Sequence, residues 1–231
     1  MVSKTYELGF RGTLPVGAGR LDWKAGLFRT DSFDDIIPVA STIPGRGFFQ
    51  NVPGFRRQGL DTGGQYRAPR WLVYADYSLL DATYRFEGDL PSPGNPAADA
   101  NGNVHVLPGH RLTVLPRNQL KAGVEYAVTP EWKVAADLLA VGPQYFFGDY
   151  TNQNPQLPAF AVVNVRTSYQ ITPALQVFGL VNNLFNERYA TFGRYFDTGA
   201  LGGAITTVLT DPHMITPGQP LSVYAGLRLK L

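Results

Sequence analysis

No cysteine occurs in the 231 residues, which removes disulfide frameworks, thiolate nucleophiles and cysteine metal sites from consideration. Charge is also scarce. Asp, Glu, Lys and Arg make up 16% of the chain, against roughly 25% in an average soluble domain. The net charge is only +2, with basic residues scattered among acidic ones, so no electrostatic footprint for nucleic acid is present. No window approaches 18 consecutive apolar residues, and helical membrane spans are excluded. Any membrane residence must therefore use strands. The start, Met1-Val2-Ser3-Lys4-Thr5, runs straight into a strand pattern without the apolar stretch and cleavage site of a secretory signal. The expectation is that a signal is missing or that the chain is a fragment.

What is abundant is apolar and aromatic: 44% of residues are hydrophobic and 13% aromatic, mostly Tyr and Phe. These residues alternate with a period of two, the mark of strands with one greasy face. The clearest case sets Trp132, Val134, Ala136, Leu138 and Ala140 against Lys133, Ala135, Asp137 and Leu139. Before it, Leu120, Ala122, Val124 and Tyr126 oppose Lys121, Gly123 and Glu125, and Val128-Thr129-Pro130 joins the two as a hairpin. Seven further segments follow the rule: Tyr6–Arg11, Leu21–Leu27, a weaker Leu60–Tyr66, Trp71–Leu79, Ala161–Tyr169, Leu175–Asn182 and Leu221–Leu231. Nine strands are predicted.

Their connections alternate in kind. Short turns fall near Pro15 to Gly19, Ala68-Pro69, Thr129-Pro130 and Thr172-Pro173. Long polar loops span roughly Asp31 to Phe55, Phe86 to Pro116, Gly142 to Pro158 and Asn186 to Pro220, each longer than an ordinary connection. Short turns at one end and long loops at the other are the layout of outer-membrane barrels.

Trp23, Trp71 and Trp132 each begin a strand leaving a short turn, on the apolar parity of that strand. Tyr66, Tyr126 and Tyr169 end the strands entering the turns, again on that parity. Amphipathic rings at one depth predict a membrane-interface girdle. The competing reading makes them the bottom layer of a soluble β-sandwich core, and parity alone does not separate the two. Lipid forbids open sheet edges, and bacterial single-chain barrels have even strand numbers. Nine strands therefore predict an antiparallel all-β segment of something larger.

No residue pattern of a catalytic, cofactor or metal site stands out in the sequence. His105, His110 and His213 fall in the long loops without zinc-ligand spacing, and read as solvated loop histidines. No nucleophile elbow or paired Ser/His motif occurs. Asp34 and Asp35 are adjacent in an extended chain and point opposite ways, so hydration is the simpler explanation. Phe48, Phe49, Arg56, Tyr145, Phe146, Tyr150, Arg194, Tyr195 and Phe196 could form an external vestibule for an anionic chelate, or could pack on one another above the lumen.

The run Phe178-Gly179-Leu180-Val181-Asn182-Asn183-Leu184-Phe185-Asn186, followed by Tyr189, resembles the Asn-Leu-Phe-Asn-x-x-Tyr signature of TonB-dependent outer-membrane receptors. Similar in kind are Phe28-Arg29-Thr30 with Asp34-Asp35-Ile36, Asn51 with Arg56-Arg57-Gln58-Gly59, Leu115-Pro116-x-x-Gln119-Leu120, and Gly148-Asp149 before Asn152. The terminal strand resembles the outer-membrane assembly signal through Tyr224, Gly226, Leu229 and Leu231, with Leu in place of the final aromatic. The resemblance implies the last nine strands of a 22-stranded barrel, spanning residues 1–231 with no plug domain in them. It also implies residence in outer-membrane lipid, contact with the barrel-assembly machinery, a ferric siderophore or similar ligand, and TonB acting only through the plug. Binding and gated passage, not bond chemistry, would be the mechanism. A passive channel or adhesion barrel shares the strands and girdle and remains the alternative.

Overall fold

A computed structural model describes residues 1–40, 47–196, 198 and 211–230. Nine strands form one antiparallel sheet: β1 (Val2–Val16), β2 (Gly19–Ala40), β3 (Gly47–Arg67), β4 (Trp71–Tyr84), β7 (Asn118–Ala127), β8 (Trp132–Val141), β9 (Phe160–Gln170), β10 (Leu175–Asn182) and β13 (Ser222–Leu229). They are the nine strands the alternation predicts, paired in sequence order. Two smaller hairpins stand apart from the sheet, β5 (Gly88–Pro91) with β6 (Asn103–Val106) and β11 (Ala190–Tyr195) with β12 (His213–Pro217). Leu231, the end of the expected assembly signal, lies outside the described residues, as does most of the span from 197 to 210.

Three of the four short turns have a local cause in a glycine or a threonine hydroxyl. Gly17 takes a left-handed φ of +56° in the two-residue link between Val16 and Gly19, a conformation that costs glycine little. The Thr-Pro turns repeat one device: the hydroxyl of Thr129 accepts from the N–H groups of Glu131 and Trp132, and that of Thr172 from those of Ala174 and Leu175. These side chains bond backbone groups that the ladder cannot reach.

Register carries the apolar parity unbroken across the sheet. One pairing row runs Leu8, Leu27, Leu60, Leu79; another runs Val73, Val124, Ala136, Val165, Val181, Val223. Since paired residues share a face, one side of all nine strands is a continuous apolar surface. Exposure is high along it, with Tyr6, Leu8, Phe10, Val223, Leu227 and Leu229 all more than half accessible.

The long loops contain more structure than the sequence shows. Asp31 to Phe55 is not a loop throughout: β2 and β3 stay paired through Val39 and Phe48 and project beyond the sheet. The alternation fails there because Asp34 sits at φ +50° and shifts the buried parity from Ser32 to Asp35, Ile37 and Val39. The shifted face packs Val39 and Val52 against Phe55, Tyr84, Phe86, Leu90, Val104, Val106 and Tyr150, a core that lies in the loop layer.

Candidate functional site

Two surfaces concern function, the wall formed by the sheet's polar face and the layer of loops at its long-loop end. The polar face follows from the alternation: as the apolar residues share one side, Arg11, Asp22, Lys24, Asp76, Lys121, Glu125, Lys133, Asp137 and Arg166 share the other. Their side chains form a ladder. The Tyr74 hydroxyl donates to Asp137 at 2.7 Å, Arg166 reaches Asp137 at 3.0 Å and Glu125 at 3.4 Å, and Lys133 reaches Glu125 at 3.3 Å. Farther along, Lys24 pairs with Asp76 at 3.4 Å, and Arg20 and Arg67 flank Asp22.

Glycines make room for this ladder. A Cβ on Gly123 would stand 2.5 Å from the Tyr74 ring and 2.7 Å from the Asp137 carboxylate, and one on Gly63 would strike Asp76. Beside them lies an open hollow of about 640 Å³, lined on the polar side by Arg11, Thr13, Asp22, Lys24, Gln65 and Tyr74. The pairs are partly exposed, so each contributes little to stability on its own. The wall is thus a hydrated surface of mixed charge, suited to transient polar contacts.

On the opposite face the six aromatic residues of the expected girdle all lie at the short-turn end. Trp71 is paired with Tyr126 and Trp132 with Tyr169, while Leu21 faces Tyr66 and Trp23 faces Gly64. The Trp132 indole donates to the Thr167 hydroxyl at 2.9 Å, and the Tyr66 hydroxyl to the Val16 carbonyl at 3.2 Å. Above them the apolar parity continues until Arg29 on β2, Gln58 on β3, Asp81 on β4 and Asn118 on β7. That is about eight to ten residues per strand, or roughly 26–33 Å along the chain and less when tilted, the height of an outer-membrane apolar band.

In the loop layer the aromatic residues separate into two groups. Phe146, Tyr150 and Tyr195 are buried and pack on other loops, so they are structural; Phe48 and Phe49 are exposed at the projecting hairpin. Arg56 does not face the lumen. It pairs with Asp31 at 2.7 Å on the outward parity, beside Arg29. Tyr145, Arg194 and Phe196 are half-buried. Burial raises the pKa of the Tyr150 and Tyr195 hydroxyls, which have no hydrogen-bond partner among the described residues.

Asp35 differs from its expected hydration, whereas His105 and His213 are exposed as expected but not without partners. Asp35 is buried, accepts from the Ile36 N–H at 2.8 Å and lies 4.0 Å from Arg57, while its neighbour Asp34 is exposed. His213 stacks on Phe146 and Tyr195, with ring centroids 4.8 and 5.2 Å away, and its Nδ1 bonds Asp211. His105 is exposed but held between Asp89 and Glu87 at 2.7 and 3.2 Å, and these hydrogen bonds raise its pKa, the one to Asp89 most. His110 accepts from the Leu107 N–H. No group of three or more His, Cys, Asp or Glu placed to hold a metal occurs among the described residues.

One buried knot leaves little trace in the sequence. Asp149, fully buried, accepts from Asn154 at 3.0 Å, while Ser92 and Asn95 donate to the Gly148 carbonyl at 2.7 and 2.8 Å. Desolvation raises the Asp149 pKa, against the bonds from Asn154, Gln153 and Thr151. The knot ties the β5–β6 loop to the loop after β8. The Gly148-Asp149 string was its only visible trace.

The signature residues lie together where β10 ends. Asn183, 1% exposed at φ +50°, donates to the carbonyls of Glu187 at 2.8 Å and Gln219 at 3.0 Å, and accepts from the Glu187 N–H at 2.8 Å. Its own N–H donates to Asn164. Asn186, at φ +52°, accepts from the Leu221 N–H at 3.2 Å. Tyr189 stacks on Phe160 and covers Gly218, whereas Leu184 and Phe185 are exposed. Tyr224 and Gly226 point to the polar side of β13 and Leu229 to the apolar side.

The comparisons with known proteins agree with this geometry. The pesticin receptor of Yersinia pestis is 31% identical over 126 residues, covering 49% of this chain and 17% of that protein. The siderophore receptor PiuA from Acinetobacter baumannii superposes with a TM-score of 0.72 at 17% identity, over 98% of this chain and 28% of its own. The ferric yersiniabactin uptake receptor FyuA from Yersinia pestis gives 0.67 at 19% identity, over 98% and 29%. The chain thus spans less than a third of the length of each. The model of the TonB dependent receptor-like β-barrel family matches residues 1–184. With its alternating faces and loop-ended sheet, the chain belongs to that family, an outer-membrane receptor barrel of bacteria.

Proposed function

We propose that these nine strands are the C-terminal part of a larger barrel that imports a ferric siderophore or a similarly scarce nutrient. The observation that carries the reading is the two-sided sheet: an unbroken apolar face bounded by aromatic rings, backed by a charged wall along which a polar solute can pass. Among the described residues β1 pairs only with β2, and β13 only with β10, so both edges await neighbouring strands in lipid. Import rather than free diffusion is favoured by the names of the similar proteins, a siderophore receptor and a ferric yersiniabactin uptake receptor.

In this reading Trp23, Tyr66, Trp71, Tyr126, Trp132 and Tyr169 anchor the short-turn side at the lipid interface. Tyr224, Gly226, Leu229 and Leu231 present the last strand to the assembly machinery. TonB acts through a plug domain seated in the lumen, and no step involves bond chemistry. The test is uptake by the full-length receptor in a strain without other receptors. Accumulation of a ferric chelate that disappears when TonB is deleted is the expected result. Accumulation unchanged without TonB makes the protein a passive channel.

A further inference from the structure

We infer that the Asn183–Asn186 signature is a register clasp for the last strand, not a ligand-binding element. Alternation alone leaves the register of β13 underdetermined. A slip of one residue would turn Val223, Ala225, Leu227 and Leu229 to the polar side and is opposed by the two-sided pattern. A slip of two residues keeps every one of them on the apolar side, so the hydrophobic pattern does not oppose it. The preceding connection is long and exerts little positional control of its own.

The clasp supplies what the pattern lacks. Asn183 holds the Gln219 carbonyl across 36 residues of sequence, and Asn186 holds the Leu221 N–H across 35. Both contacts fall immediately before β13 begins at Ser222, fixing which residue meets Asn182. Asn suits both positions, because it tolerates a positive φ and its side chain bonds nearby backbone. Burial makes Asn183 exacting: moving Gln219 strands a buried amide donor. The backbone N–H of Asn183 is also braced from β9, donating to the Asn164 side-chain oxygen.

A second lock stands farther down the strand. Phe178 faces Gly226, and a Cβ there would lie 2.5 Å from the ring. A two-residue slip would bring Tyr224 or Arg228 beneath that ring, with side chains in the space the ring occupies. The clasp and the glycine select the same register from the end and from the middle of β10.

The test uses the full-length receptor in its outer membrane. Asn183→Gly keeps the left-handed backbone without strain and removes only the side-chain bonds; Asn183→Asp keeps the acceptor and removes both donors. Register is read by oxidative cross-linking of Val181→Cys with Val223→Cys, the native pair, and of Val181→Cys with Ala225→Cys, the slipped pair. Both Asn183 variants should lower the folded, heat-modifiable fraction by about fivefold or more, as expected for losing more than one hydrogen bond. The slipped pair should then cross-link, and ligand affinity per folded receptor should stay unchanged. If Asn183→Gly folds poorly everywhere, the milder Asn186→Gly, which loses one bond, should show the same slipped cross-link. A wild-type folded fraction, a reduced fraction without slipped cross-links, or a loss of affinity per folded receptor would each overturn the inference.

Discussion

Trp71 stands directly opposite Tyr126 on neighbouring strands, their rings 4.4 Å apart between centroids and tilted by 38°. The two residues lie 55 positions apart in sequence and flank different short turns, yet pairing brings them to one depth on the apolar face. Such a cross-strand aromatic pair is worth about 0.5–1.5 kcal/mol beyond its buried area. A double-mutant cycle of Trp71→Ala and Tyr126→Ala in the lipid-embedded receptor should return a coupling in that range. Additive losses would mean that the rings act independently.

Ala136 lies midway along the apolar face of β8, opposite Val124 and Val165. Ala136→Arg should destabilise the folded receptor by about 2–4 kcal/mol, the cost of a cation at the bilayer midplane of a barrel. Gln119→Arg on the lumenal parity of β7 should cost far less. Chemical unfolding from lipid vesicles measures both.

Tyr74 crosses Gly123 to donate to Asp137, which Arg166 also grips. Tyr74→Phe should cost about 1–2 kcal/mol by leaving that carboxylate one donor short. Gly123→Val should cost more, since its side chain meets the Tyr74 ring and Asp137 together. The order of the two unfolding midpoints is the measurement.

His105 gives the β5–β6 hairpin a dependence on pH. Hydrogen bonds to Asp89 first and Glu87 second raise its pKa above the ordinary 6.5. A histidine whose folded pKa is raised stabilises most below its unfolded value and loses that contribution as pH rises through the folded one. Hairpin amides should therefore exchange faster with solvent as pH climbs above 6.5 and through the raised folded pKa, after correction for intrinsic rates. His105→Gln should remove the trend.

Much of this architecture is legible in the sequence because lipid-facing strands obey a strict period. Even β3, weakened by Thr62 and Gly64 on its apolar parity, pairs with β2 from Gly47 to Arg67 and with β4 from Phe55 to Arg67. The projecting part of β2 and β3 was hidden by one residue: Asp34, at positive φ, changes the alternation phase, and the next strand segment reads as a loop. The loop core was hidden differently. Phe55, Tyr84, Leu90, Val104 and Tyr150 come from four separate stretches, and no local period links them. The lumenal ladder was visible as parity but not as pairs, since Tyr74 and Asp137 are 63 residues apart. Asn183 was recognisable as part of a signature, but its partners at Gln219 and Asn164 become apparent only once β10 lies between β9 and β13.

The most direct test of the central claim, that one face of the nine-stranded sheet meets lipid, is depth-dependent quenching. Single cysteines at Leu27, Ala75, Leu120 and Ala136, and at lumenal Lys24, Asp76, Lys121 and Asp137, would each carry a small fluorophore in the reconstituted full-length receptor. Quenchers attached to lipid acyl chains should dim the first four strongly and the second four weakly. Equal quenching on both parities would contradict the account.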